Sequence, residues 1–188
     1  PYPRVRAVAA RALTGDEATM MRRATLARRD PWPLVRAESV TSLEGDAVAM
    51  PVVVAAVDDP MSAVRSAAIA VLVGVPDDTG WSRVHARLRK HDEWPEVTAA
   101  AIEYVVAHCR TDAVEALFVV IRRAASPSPR TDDLNNAARA IEALRVLQSP
   151  ESEAALEHLR GAEGVPPTLK MALEEPIADL PRCPVQAP

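Results

Sequence analysis

Apolar side chains recur along this chain in one short phrase. From Val64 they fall four, five and eight residues on, at Ala68, Ile69 and Leu72, and from Val97 they fall at Ala101, Ile102 and Val105. That spacing lays them along one face of an α-helix. The phrase also starts at Val5 and Val35, so four anchors follow one another at intervals of 30, 29 and 33 residues. Weaker copies begin at Leu134 in "TDDLNNAARAIEAL" and at Leu169 in "PPTLKMALEEPIADL". The stretches between copies, such as "DEATMMRRATLARR", "DAVEALFVVIRRA" and "PESEAALEHLR", are helical in period as well. Each repeat therefore reads as a pair of helices.

The punctuation agrees with that reading. Most of the 17 prolines fall between apolar runs, where proline starts or stops a helix. Gly15, Gly45 and Gly74 stand ten residues after the first three anchors, where glycine readily takes the left-handed conformation that closes a helix. Asp112 with Glu115, and Ser149 before Pro150, read as N-terminal caps. One helix pair of this size cannot bury its apolar face alone, whereas stacked pairs share a continuous core. The fold class expected is all-α, a right-handed α-solenoid over residues 1–180 with a C-terminal tail at 181–188. Its segments are a lone second helix at 3–14 and helix pairs at 16–44, 46–73, 80–107, 111–147 and 149–180. Two irregularities stand out: "SPSP" at 126–129 reads as a spacer, and Pro176 should shorten the last helix. The opening "PYPRVRAV" matches the middle of "DPWPLVRAE" at 30–38, so we expect a piece of a larger protein whose first helix is exposed on its apolar side.

Composition narrows the class. A hydrophobic fraction of 48% over 188 residues is enough for a substantial core. Only 3% of residues are aromatic, and alanine and valine abound, which favours closely packed helices. No apolar run is long enough to span a bilayer and no secretory leader opens the chain, so a soluble, cytoplasmic protein is expected. Cys109 and Cys183 are too few and too far apart in sequence to suggest a disulfide framework, and Cys109 reads as an ordinary thiol. The formal net charge of −4 is uneven: residues 1–36 carry eight arginines against Asp16, Glu17 and Asp30, and the remainder is acidic.

The phrase D-P-x-x-x-V-R-x-x-A, followed by an Ala-rich helix ending in Leu and Gly, resembles the HEAT-like repeats of the phycobilisome-lyase type, an armadillo-like superhelix. The resemblance covers all six segments and is most specific in the first three or four. It implies a ladder in which a turn aspartate works with a helix arginine six residues later, here Asp30 with Arg36 and Asp59 with Arg65. Arg6 lacks its aspartate, and Asp92 faces Thr98 where the family has arginine, so the ladder should break at the fourth segment. Physical chemistry supports the same idea. An aspartate before a helix accepts from free backbone amides, and an arginine one turn in can bridge it to the next repeat.

Candidate chemistry is sparse. HEAT-like deoxyhypusine hydroxylases bind iron through His-Glu dipeptides, and none of the four histidines here precedes Glu. His85 and His91, six residues apart, fall on opposite sides of a helix, so we expect no metal and no cofactor. There is no glycine-rich phosphate loop and no G-x-S-x-G. HEAT-like alkylpurine DNA glycosylases suggest a nucleic-acid reading, because Arg22, Arg23, Arg28 and Arg29 crowd one helix. The patch occupies one end of an acidic chain, so a solvated face or a protein contact comes first.

Two further features point to binding. Three residues before each anchor stand Tyr2, Trp32, Met61 and Trp94, three of them followed by proline, which holds them extended. They should form a column along one edge, packing on neighbouring turns or serving as interface anchors. On the inner helices, the positions facing away from the core are Val8 and Arg11, Glu38 and Thr41, Ala67 and Ala70, and Ala100 and Glu103. The function expected is a non-catalytic protein-interaction scaffold, whose partner is another protein or another domain of the same one. Nucleic-acid binding, or a bilin-lyase-like enzyme subunit, is the alternative.

Overall fold

A computed structural model describes residues 2–13, 16–126, 128–162, 164–174 and 183. Among the described residues every regular element is helical: eleven α-helices and one 3-10 turn at Thr111–Ala113. They run α1 (Pro3–Ala12), α2 (Glu17–Arg29), α3 (Pro33–Thr41), α4 (Met50–Ala56), α5 (Ser62–Val73), α6 (Trp81–Arg89), α7 (Pro95–Ala107), α8 (Val114–Arg123), α9 (Thr131–Leu147), α10 (Pro150–Gly161) and α11 (Pro167–Glu174). The chain divides into two compact units, Pro1–Val84 and His85–Pro188, with the boundary inside α6.

Unit 1 is a two-layered stack. Helices α1, α3 and α5 pack side by side in one row, and α2 and α4 lie against each other and against the row. Val35, Val64, Ala68, Ile69 and Leu72 are completely buried where the layers meet. The apolar stripe read from the sequence is therefore the seam of the stack. Val5, at the corresponding place in α1, is 59% exposed, and α1 buries Ala7 and Ala10 instead.

Unit 2 repeats the scheme, with α7, α9 and α11 in one row and α8 and α10 against α9. Packing of each helix on its sequence neighbours makes the fold all-α and solenoid-like within each unit. Here one repeat is read out of step in the sequence. In α9 Asn136, Ala140, Ile141 and Leu144 are buried at the repeat's spacing, so the true anchor is Asn136 and not Leu134, which is only half-buried. A polar residue can hold that core position because Asn136 Nδ2 donates to the Pro95 carbonyl at 3.1 Å.

Helix ends follow local chemistry, with some departures from expectation. Proline occupies the first turn of α1, α3, α4, α7 and α10, where its missing N–H costs nothing. Ser149 and Ser152 form a reciprocal capping box at the start of α10, with the backbone N–H of each donating to the other's hydroxyl oxygen. Asp112 lies inside the 3-10 turn, where Arg110 holds its carboxylate. Gly45 is left-handed, with φ at 77°. Gly74 ends α5 in the right-handed region, at φ −82°, because the chain there continues as a turn without reversing. Gly15, Pro176 and all of the "PRCPVQAP" tail except Cys183 lie outside the described residues.

The largest departure concerns the cysteines. Cys109 and Cys183 are joined in a disulfide across 74 residues of sequence, with their Cα atoms 5.5 Å apart. Separation along the chain is no guide here, since the fold brings the end of α7 and residue 183 together.

Candidate interaction surface

The turns that lead into the row helices are built by a repeated set of hydrogen bonds. Asp30 Oδ1 accepts from the Trp32 amide at 2.9 Å, and Asp59 Oδ1 accepts from the Met61 amide at 2.9 Å. Each carboxylate is gripped at the same time by the arginine of the preceding repeat. Arg6 donates from Nε to Asp30 Oδ2 and from Nη2 to Oδ1, both at 3.0 Å. Arg36 donates in the same way to Asp59, both at 2.8 Å. The remaining guanidinium nitrogen points home, from Arg36 Nη1 to the Asp30 carbonyl at 2.9 Å and from Arg65 Nη1 to the Asp59 carbonyl at 2.8 Å.

This geometry corrects the ladder expected from the sequence. Arg36 reaches Asp30, and Arg65 reaches Asp59, through the aspartate main-chain carbonyl, while the paired side-chain bonds of Arg6 and Arg36 run between repeats. Arg6 does not lack an aspartate, because its partner is the one ahead of it. The physical reason is reach: an arginine one turn into a helix can span to the neighbouring repeat's turn, and a planar guanidinium fits a carboxylate with two parallel bonds. The Arg6 hydrogen bonds hold the Asp30 carboxyl below the usual carboxylate range.

At the start of α7 the pattern changes. Asp92 is exposed and lies 3.8 Å from Lys90. Glu93 is the buried acid, accepting from the Trp94 amide at 2.9 Å and lying 3.5 Å from Arg87. The repeat pattern points to Asp92 as the turn acid, and Glu93 is one residue and one methylene displaced from that position. Thr98 is buried.

With the turns closed by carboxylates, the residues at their tips need not seal anything. Tyr2, Trp32 and Met61, the caps of α1, α3 and α5, are 82%, 54% and 46% exposed, all with extended backbone. Trp94 occupies the same place before α7 in unit 2 and is 60% exposed. These side chains therefore stand largely in solvent at the helix entries and are not sealed inside the core. In unit 1 the three side chains stand at successive turns of one row of packed helices.

The inner positions are bridged by charge. Arg11 Nε lies 3.3 Å from Glu38 Oε2, joining α1 to α3, and Arg139 Nη1 donates to Glu103 Oε1 at 3.3 Å, joining α9 to α7. Val8, Thr41 and Ala70 are exposed, Ala67 is half-buried and Ala100 is buried. On α2, Arg22, Arg28 and Arg29 are exposed around Met21, itself 57% exposed. Arg23 leaves this patch: its Nη1 donates to the Ser42 carbonyl, tying α2 to the end of α3.

Unit 2 carries a groove that the sequence did not disclose. Between α8 and α10, Val114, Phe118 and Ala155 floor a groove of about 560 Å³, with Glu115, Glu151 and His158 at its rim. The Phe118 ring contacts His158, and the Arg122 guanidinium stands 5.4 Å from its centroid. Helical period placed Phe118 on α8 but could not show that its ring would line a surface groove. Among the described residues no cluster of His, Cys, Asp or Glu could hold a metal ion, and no helix is long and apolar enough to cross a membrane.

No protein-family model matches the chain, and no curated protein matches it.

Proposed function

We propose that this chain is a HEAT-like repeat protein acting as a non-catalytic, cytoplasmic scaffold for another protein or for another domain of the same one. The observation that carries the reading is the exposure of Tyr2, Trp32 and Met61 at three successive turns of unit 1. Large apolar side chains held in solvent at fixed spacing are the usual anchors of protein interfaces. The backbone at Trp32 and Met61 is already ordered by the Asp30 and Asp59 hydrogen bonds, so little ordering entropy is lost there when a partner covers them. The salt bridges of Arg11 with Glu38 and of Glu103 with Arg139 supply polar contacts on the inner helices.

The test is a photo-crosslinking probe at position 32 in the full-length protein, combined with pull-downs by wild type, Trp32→Ala and Met61→Ala. A discrete crosslinked protein whose capture falls in both variants supports the reading. A partner captured equally by all three, with no crosslink at 32, sinks it.

A second reading rests on the exposed Arg22, Arg28 and Arg29 of α2, which could meet phosphates. Duplex DNA binding that weakens steeply with salt and is lost on Arg22→Gln with Arg28→Gln would favour it over the scaffold.

A further inference from the structure

We propose that Cys109–Cys183 is a thiol–disulfide exchange site, which a dithiol reductant opens to free residue 183 from the ends of α7 and α9. This inference is independent of what the exposed turns bind. It rests on where the two cysteines sit and on what residue 183 does there.

Cys109 follows the end of α7 with a φ of 49°, in the left-handed region that non-glycine residues adopt only at a cost. The His108 amide donates to the Tyr104 carbonyl and the Arg110 amide to the Val105 carbonyl, so the helix is closed around Cys109. Gln148, which ends α9, is left-handed too, with a φ of 48°. Residue 183 meets both ends. Its amide donates to the Val146 carbonyl at 3.1 Å, satisfying one of the last carbonyls of α9, which have no partner within their own helix. Its Sγ lies 3.9 Å from the Val106 carbonyl oxygen, in the last turn of α7. Val106 and Val146 both line a groove of about 250 Å³ between α7 and α9, which Glu103 and Arg139 also border. Cys183 is thus a cap for one helix end and a neighbour of the other, and the disulfide holds it in place.

The two cysteines differ in exposure. Cys109 is half-exposed, whereas Cys183 is 4% exposed. A thiolate of the dithiol therefore attacks Cys109 Sγ, forming a mixed disulfide there as the Sγ–Sγ bond breaks and Cys183 leaves as a thiolate that takes a proton from water. The second thiol of the reductant then attacks its own sulfur in the mixed disulfide and releases Cys109. Two electrons and two protons pass to the protein, and the dithiol becomes its disulfide. Where disulfides do occur in a reducing compartment they are usually transient and catalytic or redox-sensing, which fits a pair with one half-exposed cysteine.

The test is peptide-resolved hydrogen exchange on the whole chain, air-oxidised and after dithiothreitol, with Cys183→Ser as a second route to the open state. The expected result is loss of amide protection at the last turns of α7 and α9, in both reduced protein and variant, with α8 unchanged. Glutathione alone should leave its adduct on Cys109-containing peptides and not on those containing Cys183. Any of three results would overturn the proposal: protection unchanged by reduction and by the substitution; protection lost across all of unit 2, the mark of a purely structural staple; or both cysteines open to alkylation in the oxidised protein.

Discussion

Arg36 grips both carboxylate oxygens of Asp59 at 2.8 Å while its third nitrogen donates to the Asp30 carbonyl at 2.9 Å. One side chain thus binds the turn behind it and the turn ahead. Both partners are largely buried, with side chains 11% and 10% exposed. Removing either one strands a charge in the seam. Arg36→Met and Asp59→Asn should each cost about 3 kcal/mol of stability, and the double variant markedly less than the sum. Arg36→Lys should rescue little, because an ammonium cannot make the parallel pair of bonds. Urea unfolding of the four proteins in a double-mutant cycle, with Arg36→Lys alongside, measures this.

Trp32 should separate binding from stability. Its ring is 54% exposed and its place in the turn is fixed through its amide, which Asp30 holds. Trp32→Ala should change the unfolding free energy by no more than about 0.5 kcal/mol. A larger loss in thermal or urea unfolding would mean that the ring is part of the fold.

Acid should loosen unit 1 through Asp30. Its carboxyl is held below the ordinary range, first by the Arg6 hydrogen bonds, and Asp16 is lowered by the amide and hydroxyl of Thr19. A carboxyl with a depressed folded pKa lets the unfolded chain take up its proton first. Its contribution is therefore complete above the unfolded value of about 4 and is lost as pH falls through the folded one. In unit 2, His85, pushed down by burial and by Arg89, gives a separate loss that begins below about pH 6.5. Urea midpoints measured from neutral to strongly acid pH should fall, and Asp30→Asn should flatten the acid limb.

Gly80 should tolerate nothing larger. It has a φ of 83°, and a Cβ there would lie 2.8 Å from Leu72 Cδ1, in the buried seam. Gly80→Ala should cost about 2 kcal/mol, combining left-handed strain with displaced packing. Gly45, with a φ of 77° and nothing within 4 Å of its would-be Cβ, isolates the backbone part, so Gly45→Ala should cost about 1 kcal/mol. Thermal unfolding of the two variants gives the comparison.

The helical stack was legible where packing alone decides the residue. Val35, Val64 and Val97 had to be apolar because they sit at zero exposure in the seam, and their recurrence gave the period. Asn136 broke that signal, since a hydrogen bond to the Pro95 carbonyl lets a polar residue hold a core position. Features that depend on which repeat touches which were not legible. The pairing of Arg6 with Asp30 runs across 24 residues and that of Cys109 with Cys183 across 74. The exposure of Trp32 followed from its turn being closed by a carboxylate, a detail that composition cannot carry.

The ladder in unit 1 has a direction. Each rung takes its cation from the earlier repeat and its anion from the later one, so no repeat in it is electrically complete by itself. A cut between an arginine and the aspartate ahead of it leaves a buried charge on both sides, whereas removing the stretch that runs from one rung to the equivalent point on the next closes the ladder again. Because each repeat carries one rung aspartate and one rung arginine, removing a whole repeat, wherever in the period the cuts fall, brings the arginine before the gap to the aspartate after it. Repeats can therefore be gained or lost within this unit in whole periods, whereas a partial deletion leaves a rung with one charge.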